Sequence, residues 1–215
     1  MKIAIVGAES TGKSHLAFEL AAHFQASGQG TRMVPEFLRE WCEREQRTPQ
    51  ASEQSAIAHE QARRVNASTD AATAYTIADT TALMIAVYSE LLFDDTSLYE
   101  FAMRHQRVYD LTLLTGLDLP WVAEGLQRDG PHVRPDVDRL VRRALDQAGI
   151  AYHVVHGQGA ERRSRALAII EHAGLLSTLG PRSQNEWVWT CAHCSNARCE
   201  HRLFTGLLPA NSVRP

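Results

Sequence analysis

Eight residues near the start of the sequence carry the pattern of a phosphate-binding loop. They match G-x-x-x-x-G-K-[ST] at every fixed position. In this pattern glycines let the backbone turn successive N–H groups toward a β-phosphate, Lys13 adds positive charge for the β- and γ-phosphates, and the Ser14 hydroxyl suits Mg²⁺. We therefore predict a nucleotide site made by Gly7, Ala8, Glu9, Ser10, Thr11, Gly12, Lys13 and Ser14.

The loop motif lies between a strand and a helix, which is the context that it needs. Residues 3–6 are an apolar run, and Leu16, Leu20 and Phe24 lie on one face of a helix predicted over residues 15–25. The positive end of that helix dipole would point at the phosphates. A Gly- and Ser-rich turn that matched by accident would lack this setting, so we interpret the octapeptide as a functional loop.

Polar side chains also follow the second and third predicted strands. Ligands of open α/β sheets collect beyond the carboxyl ends of strands, so these side chains are candidates for the site. Asp79 is suited to hold Mg²⁺ through water or to accept a proton from a substrate hydroxyl, or it only caps the next helix. Glu36 and Arg39 are suited to bind a sugar or polar substrate, or they form an ordinary i, i+3 ion pair.

A long loop with glycine and proline breaks is predicted over residues 116–135. Within this lid, Trp121 is suited either to stack on a flat ring or to serve as a buried anchor. Arg128 is the first candidate, and Arg134 the second, to neutralise charge as a phosphoryl group is transferred. After the fifth strand, a turn containing Gly159 is a candidate to contact adenine with backbone groups.

Strands alternate with helices along most of the chain. This alternation predicts an α/β fold, in which a parallel sheet of five strands is covered by helices on both faces. The predicted strands span residues 3–6, 31–34, 75–78, 111–114 and 152–155. The predicted helices span residues 15–25, 36–44, 51–69, 82–92, 98–105, 136–148 and 161–173.

A cysteine-rich segment at residues 187–204 has the spacing C-x₂-C-x₄-C-x-H. Thiolates at C-x₂-C spacing can grip a tetrahedral Zn²⁺, so we predict a structural zinc knuckle, with His193 as an alternative nitrogen ligand. Reduced thiols on a disordered tail and an iron–sulfur cluster remain alternatives. We accordingly expect an ATP-binding domain over residues 1–175 and a tail over residues 176–215. The proposed zinc ligands are Cys191, Cys194, Cys199 and His201.

The bulk composition limits the class of protein. A chain of 215 residues that is 44% hydrophobic suffices for one α/β domain with an appendage. Its net charge of −3 does not favour binding to nucleic acid or to an anionic membrane. The sequence shows neither a secretory signal nor an apolar run of about 18 residues. We therefore expect a cytoplasmic protein without nucleic-acid or membrane partners.

Several of these segments together resemble the ribosylnicotinamide kinase domain of the NadR family, which belongs to the AAA-like ATP-binding P-loop kinases. The resemblance runs in order over about residues 1–175. Besides the loop, the matching segments are Val-Pro-Glu-Phe-Leu-Arg-Glu at 34–40, Ala-Asp-Thr-Thr at 78–81, Tyr-Asp-Leu-Thr-Leu-Leu-Thr at 109–115, Leu-Pro-Trp-Val-Ala-Glu-Gly-Leu-Gln-Arg at 119–128 and Gly-Gln-Gly-Ala-Glu-Arg at 157–162.

The resemblance implies a kinase that uses ATP and Mg²⁺ to phosphorylate the 5′-hydroxyl of nicotinamide riboside. Lys13 and Ser14 would then serve the phosphates and the metal. Glu36 and Arg39 would lie beside the nucleoside, and Asp79 would lie near the transferred group.

Two segments depart from the family pattern. The family tends to have Asp-Thr-Asp where this chain has Asp79-Thr80-Thr81, and Asp-Gly-Leu-Arg where it has Glu-Gly-Leu-Gln before Arg128. Our leading hypothesis is an ATP-dependent kinase of a nucleoside-like small molecule with catalytic Lys13, Asp79 and Arg128. The rival is a regulatory ATP-binding module whose tail docks a protein partner or a second copy.

Overall fold

One parallel sheet organises the computed structural model, which describes residues 1–68, 72–122 and 130–178. The strand order is β2-β3-β1-β4-β5, and every neighbouring pair is parallel. This confirms the predicted five-stranded α/β sheet. The strands are β1 (Lys2–Val6), β2 (Thr31–Val34), β3 (Tyr75–Asp79), β4 (Leu111–Thr115) and β5 (His153–Val155).

Helices connect the strands, and within the described ranges none is long and apolar enough to span a bilayer. A 3₁₀ turn at Pro131–Val133 and the start of the sixth helix lie in the stretch that was predicted as loop. Pro135 favours this early start, because a helix does not need the N–H of a residue in its first turn. The helices are α1 (Lys13–Ala26), α2 (Phe37–Glu45), α3 (Ala51–Ala67), α4 (Ala82–Phe93), α5 (Tyr99–Gln106), α6 (Arg134–Gln147) and α7 (Gly159–Thr178).

Side chains along the central strand β1 alternate between the two faces of the sheet, as extended backbone requires. Ile3 and Ile5 pack with Leu20 of α1 and Ile170 of α7 in one core cluster. Val6, on the opposite face, packs in a second cluster with residues of α4 and α6. Helices therefore cover both faces, as predicted.

The carboxyl ends of β3, β1 and β4 lie side by side. Ile5 of β1 is in register with Asp79 of β3, and Val6 is in register with Leu114 of β4. The phosphate loop leaves the sheet directly after Val6. It therefore begins between the end of β3, which carries Asp79, and the end of β4, which carries Thr115.

The start of the phosphate loop presses against the end of β4. Gly7 has φ +144°, and a Cβ there would overlap the Thr115 hydroxyl and lie 3.1 Å from the Thr115 carbonyl oxygen. The Thr115 hydroxyl donates to the Val6 carbonyl at 3.2 Å and lies 2.7 Å from the Thr11 hydroxyl. Thr11 in turn donates to the Ala8 carbonyl at 2.6 Å. Buried hydroxyls thus hold the loop against the neighbouring strand.

We predict that Gly7→Ala lowers the free energy of unfolding by about 2–4 kcal/mol, measured by urea denaturation. The new methyl group must displace Thr115, and alanine is strained at this φ. Gly28→Ala is the matched control, because Gly28 has φ +73° but open space around the Cβ position. It should cost only about 1–2 kcal/mol. Equal losses in the two variants would contradict the close contact between the loop and β4.

Candidate active site

Two adjoining cavities open at the phosphate loop, and Ser10, Lys13 and Arg39 line both of them. The loop cleft, of about 560 Å³, is lined by these three residues and by Thr11, Gly12, Ser14, His15, Leu119, Pro120, Val122 and Gln158. The side pocket, of about 480 Å³, is lined by the same three residues and by Glu9, Glu36, Leu38, Thr48, Pro49, Gln50, Ala51, Gln54, Tyr88, Leu92 and Phe93.

Lys13 lies at the junction of the two cavities. Its Nζ donates to the Ala8 carbonyl at 2.8 Å, so the side chain folds back over the loop. Burial lowers the pKa of Lys13, while the nearby carboxylates of Glu36 and Asp79 act in the opposite direction. A polyanion bound in the loop would add to the groups that favour the charged lysine.

Glu36 and Arg39 form the predicted ion pair, and the pair also lines the side pocket. Their closest atoms, Glu36 Oε2 and Arg39 Nη2, are 3.5 Å apart. Burial raises the pKa of Glu36, the Asp79 charge raises it further, and Lys13 and Arg39 oppose the shift. The two alternatives that the sequence left open, a substrate contact and an i, i+3 pair, are therefore compatible.

Asp79 is buried at the end of β3, with 3% of its surface exposed. Its Oδ1 has no hydrogen-bond partner among the described residues. The N-cap of α4 is Thr81, whose hydroxyl accepts from the Leu83 N–H at 3.3 Å. The alternative in which Asp79 caps this helix is therefore wrong, and its carboxylate is available for another role.

Gln61 of α3 joins the backbone segments that follow β2 and β3. Its Oε1 accepts from the Phe37 N–H at 2.7 Å, and its Nε2 lies 3.4 Å from the Pro35 carbonyl and 3.3 Å from the Thr80 carbonyl. Thr80 is buried at φ +73°, a strained conformation for a β-branched residue. Gln61 thus holds the segments on which Glu36 and Asp79 lie. Sequence reasoning missed this residue, because it resembles the other polar residues of a polar helix.

The described start of the lid is tied to the phosphate loop. The Val122 N–H donates to the Ser10 hydroxyl at 2.8 Å, and that hydroxyl lies 3.3 Å from the Val122 carbonyl. Trp121 is half-buried between two residues that line the loop cleft. Its indole Nε1 is buried without a hydrogen-bond partner among the described residues. Stacking of Trp121 on a flat ring stays a prediction.

Arg134 supports the lid from α6. The side chain is buried and donates to the carbonyls of Leu119 at 3.0 Å and Leu117 at 3.3 Å. Two guanidinium nitrogens of Arg134 thus bind backbone carbonyls near the start of the lid. Arg134 therefore positions this segment.

Arg162 is a buried cation beside the phosphate loop that the sequence analysis did not single out. Its Nη1 lies 3.7 Å from the Cβ position of Gly12, and its Nη2 lies 3.4 Å from the Val155 carbonyl. Burial lowers the pKa of Arg162, and Asp118 opposes the shift. The predicted adenine contact, Gly159, opens the same helix at φ +50°, next to Gln158 of the loop cleft.

Part of the predicted site falls beyond the described residues. In the described part of the chain, no group of three or more His, Cys, Asp and Glu side chains could hold a metal ion. The predicted residues that lie outside the described residues are Arg128, Cys191, Cys194, Cys199 and His201, together with the alternative ligand His193.

Residues 2–163 match a protein family described as the AAA domain. No curated protein matches the chain. The structure of NadR protein in complex with NAD and AMP-PNP is 16% identical, with a TM-score of 0.63, and the match covers 80% of this chain and 49% of that chain. The structure of NadR protein in complex with NR is 17% identical, with a TM-score of 0.63, and the match covers 86% of this chain and 52% of that chain. This chain thus spans about half the length of those NadR chains.

Two further solved structures are similar over nearly their whole length. A deoxyadenosine kinase from M. mycoides is 14% identical, with a TM-score of 0.55, and the match covers 80% of this chain and 100% of that chain. A thymidylate kinase from Ehrlichia chaffeensis is 13% identical, with a TM-score of 0.55, and the match covers 80% of this chain and 97% of that chain. These likenesses confirm the predicted P-loop fold.

We predict that Glu36→Gln becomes increasingly stable relative to the wild type as the pH rises above about 4.5. Because burial raises the pKa of Glu36, the folded protein holds this proton more tightly than the unfolded chain. The contribution of Glu36 to stability is therefore complete at low pH and is lost as the carboxyl ionises. Thermal unfolding across this pH range measures the effect.

The control for this prediction is Glu43→Gln, at an exposed position of α2, the helix that begins directly after Glu36. Its stability should follow that of the wild type across the pH range. A Glu36→Gln curve parallel to the wild-type curve would contradict the electrostatic description of the side pocket.

Proposed function

The chain belongs to the AAA domain family, and from that premise we propose that it is a kinase that transfers the γ-phosphoryl group of ATP to a nucleoside-like small molecule. The observation that carries the proposal is that the loop cleft and the side pocket share Lys13. A triphosphate in the cleft would bring its terminal phosphate to the mouth of a second, ligand-sized cavity. Such a juxtaposition supplies the proximity that phosphoryl transfer needs.

The nucleotide end of the proposed reaction uses the backbone and two cations. Successive N–H groups of residues 7–14 and the start of α1 would bind the phosphates. Lys13 would leave the Ala8 carbonyl for the β- and γ-phosphate oxygens. Arg39 lines both cavities and is half-exposed, so it can offset charge on the phosphoryl group during transfer.

Mg²⁺ fits the residues that are available beside the loop. Ser14 lines the loop cleft, and Asp79 has a buried carboxylate oxygen that lacks a partner among the described residues. Oxygen ligands of this kind are the ones that Mg²⁺ prefers. When bound, the ion would neutralise charge on the β- and γ-phosphates.

Two carboxylates are available to accept the proton of the attacking hydroxyl. Asp79 is the candidate that the sequence analysis singled out, and it interacts electrostatically with Lys13. Glu36 lines the side pocket, and its raised pKa brings it closer to the working pH of a general base. In this proposal one carboxylate orients the acceptor hydroxyl while the other balances the charge of Lys13.

Nicotinamide riboside is the acceptor that we propose, which would give the enzyme a role in NAD metabolism. The support is the set of segments that resemble the NadR family, together with the likeness in fold to NadR protein solved with NR. Trp121, which lies beside the loop cleft, would stack on a flat ring bound there, and Arg128 of the predicted lid would neutralise charge on the phosphoryl group during transfer.

We predict that the protein, given ATP, Mg²⁺ and a panel of nucleosides, converts at least one nucleoside to its monophosphate, with one ADP formed per product. Chromatography of nucleosides and nucleotides measures both. Lys13→Ala should lower the rate by about 10²-fold or more, because it removes the charge that faces the phosphates. The control is Lys2→Ala, which changes the only other lysine of the chain, at the opposite end of β1.

Lys2→Ala should retain wild-type activity within about twofold, since the amino end of β1 lies away from the site. ATP hydrolysis that does not depend on any nucleoside, or no turnover of ATP at all, would contradict the kinase proposal. Either result would favour a regulatory ATP-binding module.

For the tail at residues 176–215, we propose a structural zinc site. The support is the C-x₂-C-x₄-C-x-H spacing of the sequence. We predict one zinc ion per purified chain by elemental analysis and loss of that zinc in Cys194→Ser. Cys42→Ser, which changes a buried cysteine of α2 outside the tail, should keep the zinc. A wild-type protein without stoichiometric zinc would contradict this proposal.

A further inference from the structure

Gln54 is a buried polar side chain in the wall of the side pocket. Only 2% of its surface is exposed, and it lies in the first part of α3. Among the described residues, its Oε1 has no hydrogen-bond partner. A buried acceptor that has lost water without gaining a donor destabilises the folded protein. A ligand in the side pocket could supply the missing donor.

The helical turn that carries Gln54 is fixed before any ligand arrives. Glu53 accepts from both terminal nitrogens of Arg47 at 2.7 Å and from the Gln50 N–H at 2.8 Å. The bonds from Arg47 and Gln50 favour the charged carboxylate and lower the pKa of Glu53 to about 2. The backbone of Gln54 therefore starts from an ordered position, which reduces the entropy lost on binding.

The side pocket is lined by both charged and apolar side chains. Lys13, Glu36 and Arg39 are charged residues of this lining. Leu92 and Phe93 also line the pocket, and they leave 50% and 37% of their surfaces exposed. A flat ring would cover this exposed apolar surface, while its sugar hydroxyl would interact with the charged side chains. Gln54 is then the buried amide that is available to hydrogen-bond with a group at the edge of the ring.

We propose that Gln54 selects the acceptor by accepting a hydrogen bond from an amide or amino N–H on its ring. This inference rests on the proposed function only in taking the side pocket as the acceptor site. The terminal amide of glutamine turns at low cost, because its χ3 angle is broad, so Oε1 can meet a ligand donor. A ring carboxylate could engage only Nε2 and would leave Oε1 without a donor. The site therefore prefers a ring amide to the corresponding acid.

The test compares nicotinamide riboside with nicotinic acid riboside, which has a carboxylate in place of the amide. Calorimetry measures the binding of each to the 215-residue protein in the presence of a non-hydrolysable ATP analogue. Phosphoryl transfer to each is measured separately. We expect the wild type to bind the amide at least about 10-fold more tightly than the acid, and Gln54→Leu to bind the two with similar affinity.

Two further variants separate recognition from stability. Gln54→Glu keeps an acceptor oxygen and should keep the preference for the amide. Gln147→Leu makes the same exchange as Gln54→Leu at an exposed position near the end of α6, and it should bind both nucleosides as the wild type does. The readout is the ratio of the two affinities, because a general loss of structure would weaken the binding of both nucleosides together.

Each outcome distinguishes this inference from the proposed function. Amide preference that depends on Gln54 but occurs without phosphoryl transfer would support the inference and contradict nicotinamide riboside as the phosphoryl acceptor. Transfer with an amide-to-acid ratio that Gln54→Leu leaves unchanged would overturn the inference and leave the kinase intact. Equal binding of both nucleosides by the wild type, no binding of either, or loss of the preference in Gln54→Glu would also overturn it.

Discussion

The close approach of Gly7 to the Thr115 hydroxyl is the contact on which the candidate site depends. Glycine at position 7 lets the loop turn off β1 where a Cβ would overlap β4, and the two threonine hydroxyls hold the turn. The loop is therefore shaped by the neighbouring strand as well as by its own glycines. Asp79 reaches the same edge of the sheet from β3, in register with Ile5. Parallel pairing on both sides of β1 thus sets where the chemical groups meet.

The charges around Lys13 impose a second constraint. Burial works against the charged form of Lys13 and of Glu36, while each favours the charged form of the other. Each side chain therefore depends on the other to keep its charge at this site, because an unpaired buried charge is costly. Asp79 and Glu9 add two further carboxylates around Lys13, and Arg39 adds a second cation.

The sequence predicted the sheet, the phosphate loop and the helices to within a few residues, because each had a local pattern. The loop motif follows an apolar strand, and the alternation of strands and helices leaves few folds open. Other features depend on contacts between distant segments. The local sequence around Asp79 does not indicate that Thr81, rather than Asp79, caps α4. The residue types of Gln54, Gln61 and Arg162 are typical of a protein surface, but the fold buries all three. Their burial and missing partners are visible only in three dimensions.

The contact between the loop and β4 also bears on the order in which the protein is made. Thr11 and Thr115 are 104 residues apart, which a ribosome takes about 5–20 s to synthesise at about 5–20 residues per second. During that interval the nascent chain already carries the whole octapeptide but lacks the strand that shapes it. Nucleotide-binding competence must therefore arise late in synthesis, although the binding motif itself emerges early.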